Sequence, residues 1–350
     1  MRLCLVGFIV LASCVTGRTP PEPTKLVRVE GGLFMFGEGD HQCYQNDELE
    51  LTDCTKDQKL EKTYPAVLVD IKPFAIEEHE VTNLQYEYCV LLGKCDEPVA
   101  FAVGIQEQYF GNPTYHDYPV LNVSYRMAEQ YCHFIGRRLP YEWEWERVAA
   151  GPALKVEDKR LYALRGSKDD PKAYTSIRNC EGLDVALRAC NGEERPRPVK
   201  ASKDDVVYEG DQPIYDLTGN VAEYVAGFYK ADVTCLRPLQ GCQDCWDCDK
   251  LPASEIQTCK EDCYTQCADC DNNGPACFKT CKNPICIQNT DNQPQDLWVG
   301  EGKYRLARGG TYRDQKNQTC FARTTDRHRT VETDDQGKAA SIGFRCAVDQ

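Results

Sequence analysis

Two oxygen-bearing side chains three residues apart, Asn220 and Glu223, are the first candidates for chemistry. They lie in Ile214 to Phe228, I-Y-D-L-T-G-N-V-A-E-Y-V-A-G-F. Gly219 and Asn220 make a tight turn, after which Asn220 and Glu223 can aim oxygens to one side. Such oxygens suit a hard cation. In the plainer reading Asn220 holds the turn and Glu223 is solvated or accepts from backbone N–H groups. The second candidate chemistry is sulfur. The spacing C-x2-C-x2-C at Cys242, Cys245 and Cys248 could supply zinc ligands, but no His lies between Cys235 and Cys286 to complete such a site. The five histidines (His41, His79, His116, His133, His328) form no motif for base catalysis.

Those residues sit in a chain of 350 residues with 41% hydrophobic content, enough for a full core in one or two domains. A formal charge of -14 and the lack of a Lys/Arg cluster argue against a nucleic-acid partner. Arg2 followed by the apolar run Leu3 to Ala12 marks residues 1–14 as a signal peptide, too short to span a bilayer as a mature helix. Leu11-Ala12-Ser13-Cys14 resembles the bacterial lipobox, so the expectation is lipidation of Cys14 and an exported protein held at the cell envelope. Membrane contact would then run through the lipid anchor only. The alternative is an ordinary signal peptide and a secreted protein. Residues 15–27, with Pro20, Pro21 and Pro23, read as an extended tether ahead of a domain over 28–350. Of the 22 cysteines, 20 remain once Cys4 and Cys14 are set aside, the even number that a fully paired exported protein needs.

Several elements can be read from spacing. Val67, Val69 and Ile71 alternate as a half-buried strand that Phe74 and Ile76 continue. Thr82 with Gln85 forms a capping box for a helix carrying Tyr86, Cys89 and Val90 and stopping near Gly93. After a short strand (Val120, Leu121, Val123), Ser124 opens a helix burying Ala128, Tyr131, Cys132 and Ile135, and Gly136 suits the left-handed position that closes it. Pro140 is pre-set for the first turn of another helix, which buries Trp145, Val148 and Ala149. Proximity pairs Cys43 with Cys54, Cys89 with Cys95, and Cys180 with Cys190. Residues 231–296 form a Cys-rich insertion with 11 cysteines, too poor in apolar residues to fold on its own core. Its C-x3-C pairs resemble a stapled helical hairpin, in which Cys259 would join Cys281 and Cys263 would join Cys277.

The stretch V-S-Y-R-M-A-E-Q-Y-C-H-F-I-G-R-R-L-P-Y-E-W-E-W-E from Val123 to Glu146 is similar to the signature of the formylglycine-generating, or sulfatase-modifying factor, family. So are Glu80-Val81-Thr82-Asn83, the Y-D-L-T-G-N-V-A-E turn, Arg308-Gly309-Gly310-Thr311-Tyr312, and Gly343-Phe344-Arg345-Cys346. The resemblance implies an α+β, C-type-lectin-like fold with few helices, short irregular strands, many loops, and terminal strands brought together. It implies calcium at the turn, held by Asn220, the Val221 carbonyl and Glu223. It also implies a Cys132–Cys346 bridge, which leaves Cys320 for the odd cysteine of the insert. The rival map joins Cys320 to Cys346 and sends Cys132 to the insert.

Enzymes of that family oxidise a sulfatase cysteine to formylglycine with oxygen and a copper ion held by two thiolates in the loop after R-G-G. Here that loop places Asp314 near the first thiol and holds one cysteine, Cys320. The expectation is a noncatalytic, lectin-like module with a protein or glycan ligand. An oxidase using Cys320 and copper, or a structural envelope lipoprotein, are the alternatives.

Overall fold

The computed structural model describes residues 19–37, 67–98, 108–165, 183–229, 304–315, 322–326, 328–332 and 341–350. Strands β1 (Leu26–Val29), β2 (Gly32–Phe36), β3 (Val67–Ile71) and β4 (Phe74–Glu77) lead into helix α1 (Asn83–Leu91). Helices α2 (Tyr125–Phe134) and α3 (Glu142–Ala150) follow, then β5 (Val206–Glu209), β6 (Gln212–Tyr215) and β7 (Ala222–Tyr229). The chain ends with β8 (Tyr304–Arg308), β9 (His328–Glu332), β10 (Ile342–Gly343) and β11 (Ala347–Asp349). This is an α+β architecture of few helices, small sheets and many loops.

In one sheet β4 is central, with β1 and β11 antiparallel on either side, so the N- and C-terminal strands meet across it. All four β4 residues are buried, as expected of a central strand with both faces covered. A second sheet runs β10-β7-β8-β9, and β2–β3 and β5–β6 are two-stranded. Phe74 and Ile76 therefore do not continue β3. Lys72 and Pro73 separate the two strands, and the pairing partner changes from β2 to β1.

Local caps behave as their chemistry dictates. Gln85 N–H donates to Thr82 Oγ1 at 3.4 Å, and Gln85 Oε1 accepts from Thr82 N–H at 3.0 Å. The Met127 N–H finds Ser124 Oγ at 3.3 Å. Gly93 (φ 66°) and Gly136 (φ 73°) take the left-handed conformation after α1 and α2. Pro140 lies outside α3 rather than in its first turn, because that helix begins only at Glu142. Tyr141 supplies no side-chain cap, and Glu144 reaches back to its N–H at 2.8 Å instead.

One apolar core joins β1, β2 and β4 to Trp145 and Val148 of α3, and another joins α1 and α2 to Phe344 and Cys346. Cys132 is bonded to Cys346 and Cys89 to Cys95, so the rival map, with Cys320 on Cys346, is excluded. Cys190 is disulfide-bonded too. Cys14, Cys43, Cys54, Cys180, Cys259, Cys263, Cys277, Cys281 and Cys320 lie outside the described residues.

Candidate functional site

The turn at Asn220 and the loop after Arg308 come together, because the Tyr312 N–H donates to the Asn220 carbonyl at 2.8 Å. Asn220 takes the left-handed φ of 60° that its short amide side chain tolerates. Its Oδ1 accepts from the Arg197 N–H at 3.0 Å, and its Nδ2 donates to Glu80 Oε1 at 3.1 Å. Glu223 is buried under β7. Its Oε2 accepts from Trp145 Nε1 at 2.8 Å and Arg345 Nε at 2.7 Å, and its Oε1 from Arg345 Nη2 at 2.6 Å. Arg345 also donates to the carbonyls of Glu77 (3.1 Å) and Tyr215 (2.7 Å).

Asn220 and Glu223, two of the three residues expected to hold calcium, thus have their side-chain oxygens within hydrogen-bond distance of protein donors. Both side chains spend their oxygens on protein donors, and the cation facing Glu223 is the Arg345 guanidinium. Among the described residues no three His, Cys, Asp or Glu side chains gather closely enough to hold a metal ion. Burial disfavours the charge on Arg345, yet Glu223 outweighs it and raises its pKa further.

Around this pair lie three further buried acids, Glu80, Asp205 and Asp216. Burial first, and then the neighbouring Asp216, push Glu80 well above the usual carboxylate range, and Glu80 shares a side-chain hydrogen bond with Asp216. Asp205 and Asp216 are raised as well, chiefly by burial, although Asp205 Oδ1 accepts from the N–H groups of Leu217 (3.0 Å) and Thr218 (2.9 Å). His79 is also buried. Its Nδ1–H donates to the Glu80 carbonyl at 2.7 Å, and burial lowers its pKa from 6.5 to about 4.

A pH dependence follows from His79. The unfolded chain takes up that proton near 6.5 and the folded protein only near 4, so stability present above 6.5 is lost as pH falls toward 4. The stability of wild type relative to His79→Gln should decline across that window by up to about 3 kcal/mol, at about 1.4 kcal/mol per unit. Paired melting curves through the window check it. A constant difference between the two proteins would show that His79 does not titrate in this way.

Beneath the R-G-G loop lies a second buried ionic cluster. Arg308 Nη2 pairs with Glu146, and its Nη1 donates to the carbonyls of Thr325 (2.8 Å) and Asp326 (2.7 Å). Lys159 pairs with the other oxygen of Glu146 and reaches the Gly37 carbonyl at 2.7 Å. Burial alone would raise the Glu146 pKa, but Lys159 and Arg308 together hold it below the ordinary value. Gly310 packs so tightly that a Cβ there would stand 2.6 Å from both the Thr218 carbonyl oxygen and the Ala322 Cβ, which explains the second glycine of the motif.

The loop beyond these glycines closes on itself. Asp314 Oδ2 accepts from the Thr311 N–H at 2.8 Å and Oδ1 from the Thr311 hydroxyl at 3.0 Å, while the Asp314 carbonyl accepts from the Ala189 N–H at 2.8 Å. Among the described residues of this loop the donor set does not fit copper(I). A soft cation wants thiolates, whereas Asp314 is a hard carboxylate with both oxygens occupied. Every cysteine among the described residues (Cys89, Cys95, Cys132, Cys190, Cys346) is disulfide-bonded.

Sequence reasoning named Asn220 and Glu223 but not Arg345, Glu80, Glu146, Lys159 or Arg308 as the charged core. One signal was available. In E-W-E-W-E-R, acids alternate with tryptophans, and Glu142, Glu144, Glu146 and Arg147 are all buried, so no face of α3 is left for solvated charge.

A family described as the sulfatase-modifying factor enzyme 1-like domain matches residues 13–350. The formylglycine-generating enzyme of Bos taurus is 26% identical over 253 residues, covering 61% of this chain and 61% of the enzyme, so the match spans less than two thirds of that relative. The inactive C-alpha-formylglycine-generating enzyme 2 of Bos taurus is 32% identical over 145 residues, covering 41% of this chain and 42% of that protein. PvdO from Pseudomonas aeruginosa shares the fold, with a TM-score of 0.51 at 19% identity over 93% of this chain and 94% of its own. The chain belongs to the sulfatase-modifying factor enzyme 1-like domain family.

Proposed function

We propose that this chain is a noncatalytic member of its family and works as a lectin-like binding module, taking a protein or glycan ligand at the cell envelope. The observation that carries the reading is the Thr311–Asp314 closure. Where the resemblance puts the first copper thiolate, this chain has a carboxylate that ties the loop to its own backbone. Similarity to a relative named as inactive supports the same reading.

The test is direct. Purified, disulfide-intact protein is incubated with a sulfatase-type cysteine peptide, copper and oxygen, and the peptide is examined by mass spectrometry. The expected result is unchanged thiol peptide. Aldehyde product that disappears on Cys320→Ser would overturn the noncatalytic reading and establish the oxidase.

A further inference from the structure

Four tyrosines gather where the loop after Arg308 meets the segment before α2. Tyr109 and Tyr312 are buried at the base with Leu121 and Val221, and Tyr115 and Tyr118 lie half-buried against them. The ring centres of Tyr115 and Tyr118 are 5.2 Å apart with their planes at 83°, and Tyr109 lies 5.3 Å from the first and 6.2 Å from the second. Edge-to-face contacts of this kind fix the tilt of each ring. Two part-exposed rings thus stand nearly at right angles.

The backbone that carries them is held as well. Asn112 caps the 3-10 turn Pro113–Tyr115, its Oδ1 accepting from the Thr114 N–H at 3.0 Å. Asn83 Nδ2 donates to the Tyr115 carbonyl at 2.9 Å, and the Asn83 N–H to the Tyr118 carbonyl at 2.8 Å. The Val199 N–H donates to the Asp117 carbonyl at 2.9 Å, which brings the segment of Arg195 alongside. Arg195, 60% exposed, pairs with Glu193 at 3.2 Å and lies within electrostatic reach of Tyr115 and Tyr118. A face held in this way loses little freedom when a ligand binds.

The chemistry of the face selects among ligands. A pyranose ring has a face of C–H bonds, whose hydrogens are slightly positive, and a rim of hydroxyls. The flat side of a tyrosine ring is the negative end of its quadrupole and attracts such hydrogens. A guanidinium donates and a carboxylate accepts, so one Arg–Glu pair can meet two neighbouring hydroxyls. The arginines of the adjoining segment are already matched: Arg188 with Glu194 at 2.7 Å, Arg195 with Glu193, and Arg197 with Asp184 at 2.7 Å. A charged ligand gains little from balanced charges, and an apolar peptide would leave the Arg–Glu pair unused.

We infer that Tyr115 and Tyr118, with the Arg195–Glu193 pair beside them, form the ligand face of this module, and that its ligand is an uncharged saccharide. This deepens the lectin-like reading and rests on it. A sugar ring stacks on the tyrosines, and its hydroxyls bond to the guanidinium and carboxylate.

Full-length protein with its disulfides intact is applied to an array of immobilised oligosaccharides. Neutral ones built from glucose, galactose, mannose and N-acetylhexosamines stand beside ones bearing sialic or uronic acid. Neutral saccharides should retain the protein. Tyr118→Leu keeps the bulk and removes the ring, and should weaken the strongest signal about tenfold, whereas Tyr118→Phe should keep it. Arg195→Gln, at an exposed side chain, should weaken it too, and decides the matter should Tyr118→Leu melt early. Retention by acidic saccharides alone overturns the uncharged ligand. Binding unchanged in all three variants overturns the site and leaves the lectin-like reading in place. An empty array overturns the inference outright, while the noncatalytic reading still stands or falls on the peptide assay.

Discussion

Arg345→Met should be among the most damaging single substitutions in this protein. The guanidinium is fully buried, makes two short bonds to Glu223, and donates to backbone carbonyls at Glu77 and Tyr215. Methionine is apolar and of comparable length, so the cavity term is small. What remains is a buried Glu223 carboxylate without its cation, beside Glu80 and Asp216, whose pKa values burial already raises. Removing one partner of a buried ion pair costs about 3–5 kcal/mol, whereas replacing both with apolar residues can be close to neutral. The double variant Glu223→Leu/Arg345→Met should therefore recover much of the loss, less the bond that Trp145 Nε1 makes to Glu223. Thermal melting of the three proteins measures both steps. A single-variant loss within about 1 kcal/mol, the range of an exposed pair, would mean that the interaction is not buried in solution.

The second large effect is expected from the Cys132→Ala/Cys346→Ala double variant. The bridge joins α2 to the segment before β11 across 214 residues of sequence, and both cysteines are fully buried in the α1–α2 core. On the loop-entropy model, closing so long a loop in the unfolded chain contributes about 5 kcal/mol, and measured losses of native bridges run at about 2–5 kcal/mol. A fall in Tm on the order of 10 °C follows, using about 2–4 °C per kcal/mol for chains of this size range. Replacing both cysteines avoids an unpaired thiol that could exchange with the others. A Tm within a few degrees of wild type would show that the remaining cross-links already restrict the unfolded chain as tightly as this one does.

Much of the local structure is written in neighbouring residues. The Thr82/Gln85 box, the Ser124 cap and the left-handed Gly93 and Gly136 each depend on atoms within a few positions, and all four form as the residue types dictate. The order of the motifs likewise carried the family and its α+β fold. Where the reading slipped, longer-range choices had intervened. Phe74 and Ile76 left β3 because β1 and β11 offered pairing on both sides of β4, and Pro140 stayed outside α3 because the helix begins only at Glu142.

The charged interior belongs to tertiary structure alone. Glu223 meets Arg345 across 122 positions, and Glu146 meets Arg308 across 162. A carboxylate in a sequence carries no sign of whether water, a metal ion or a distant guanidinium will satisfy it, so Asn220 and Glu223 read equally well as calcium ligands or as hydrogen-bond acceptors. Their surroundings come only from the tertiary structure. Once packing excludes water, each such oxygen must take whatever donor the fold brings within reach, and at this turn the fold brings Arg345, Trp145 and the Arg197 N–H.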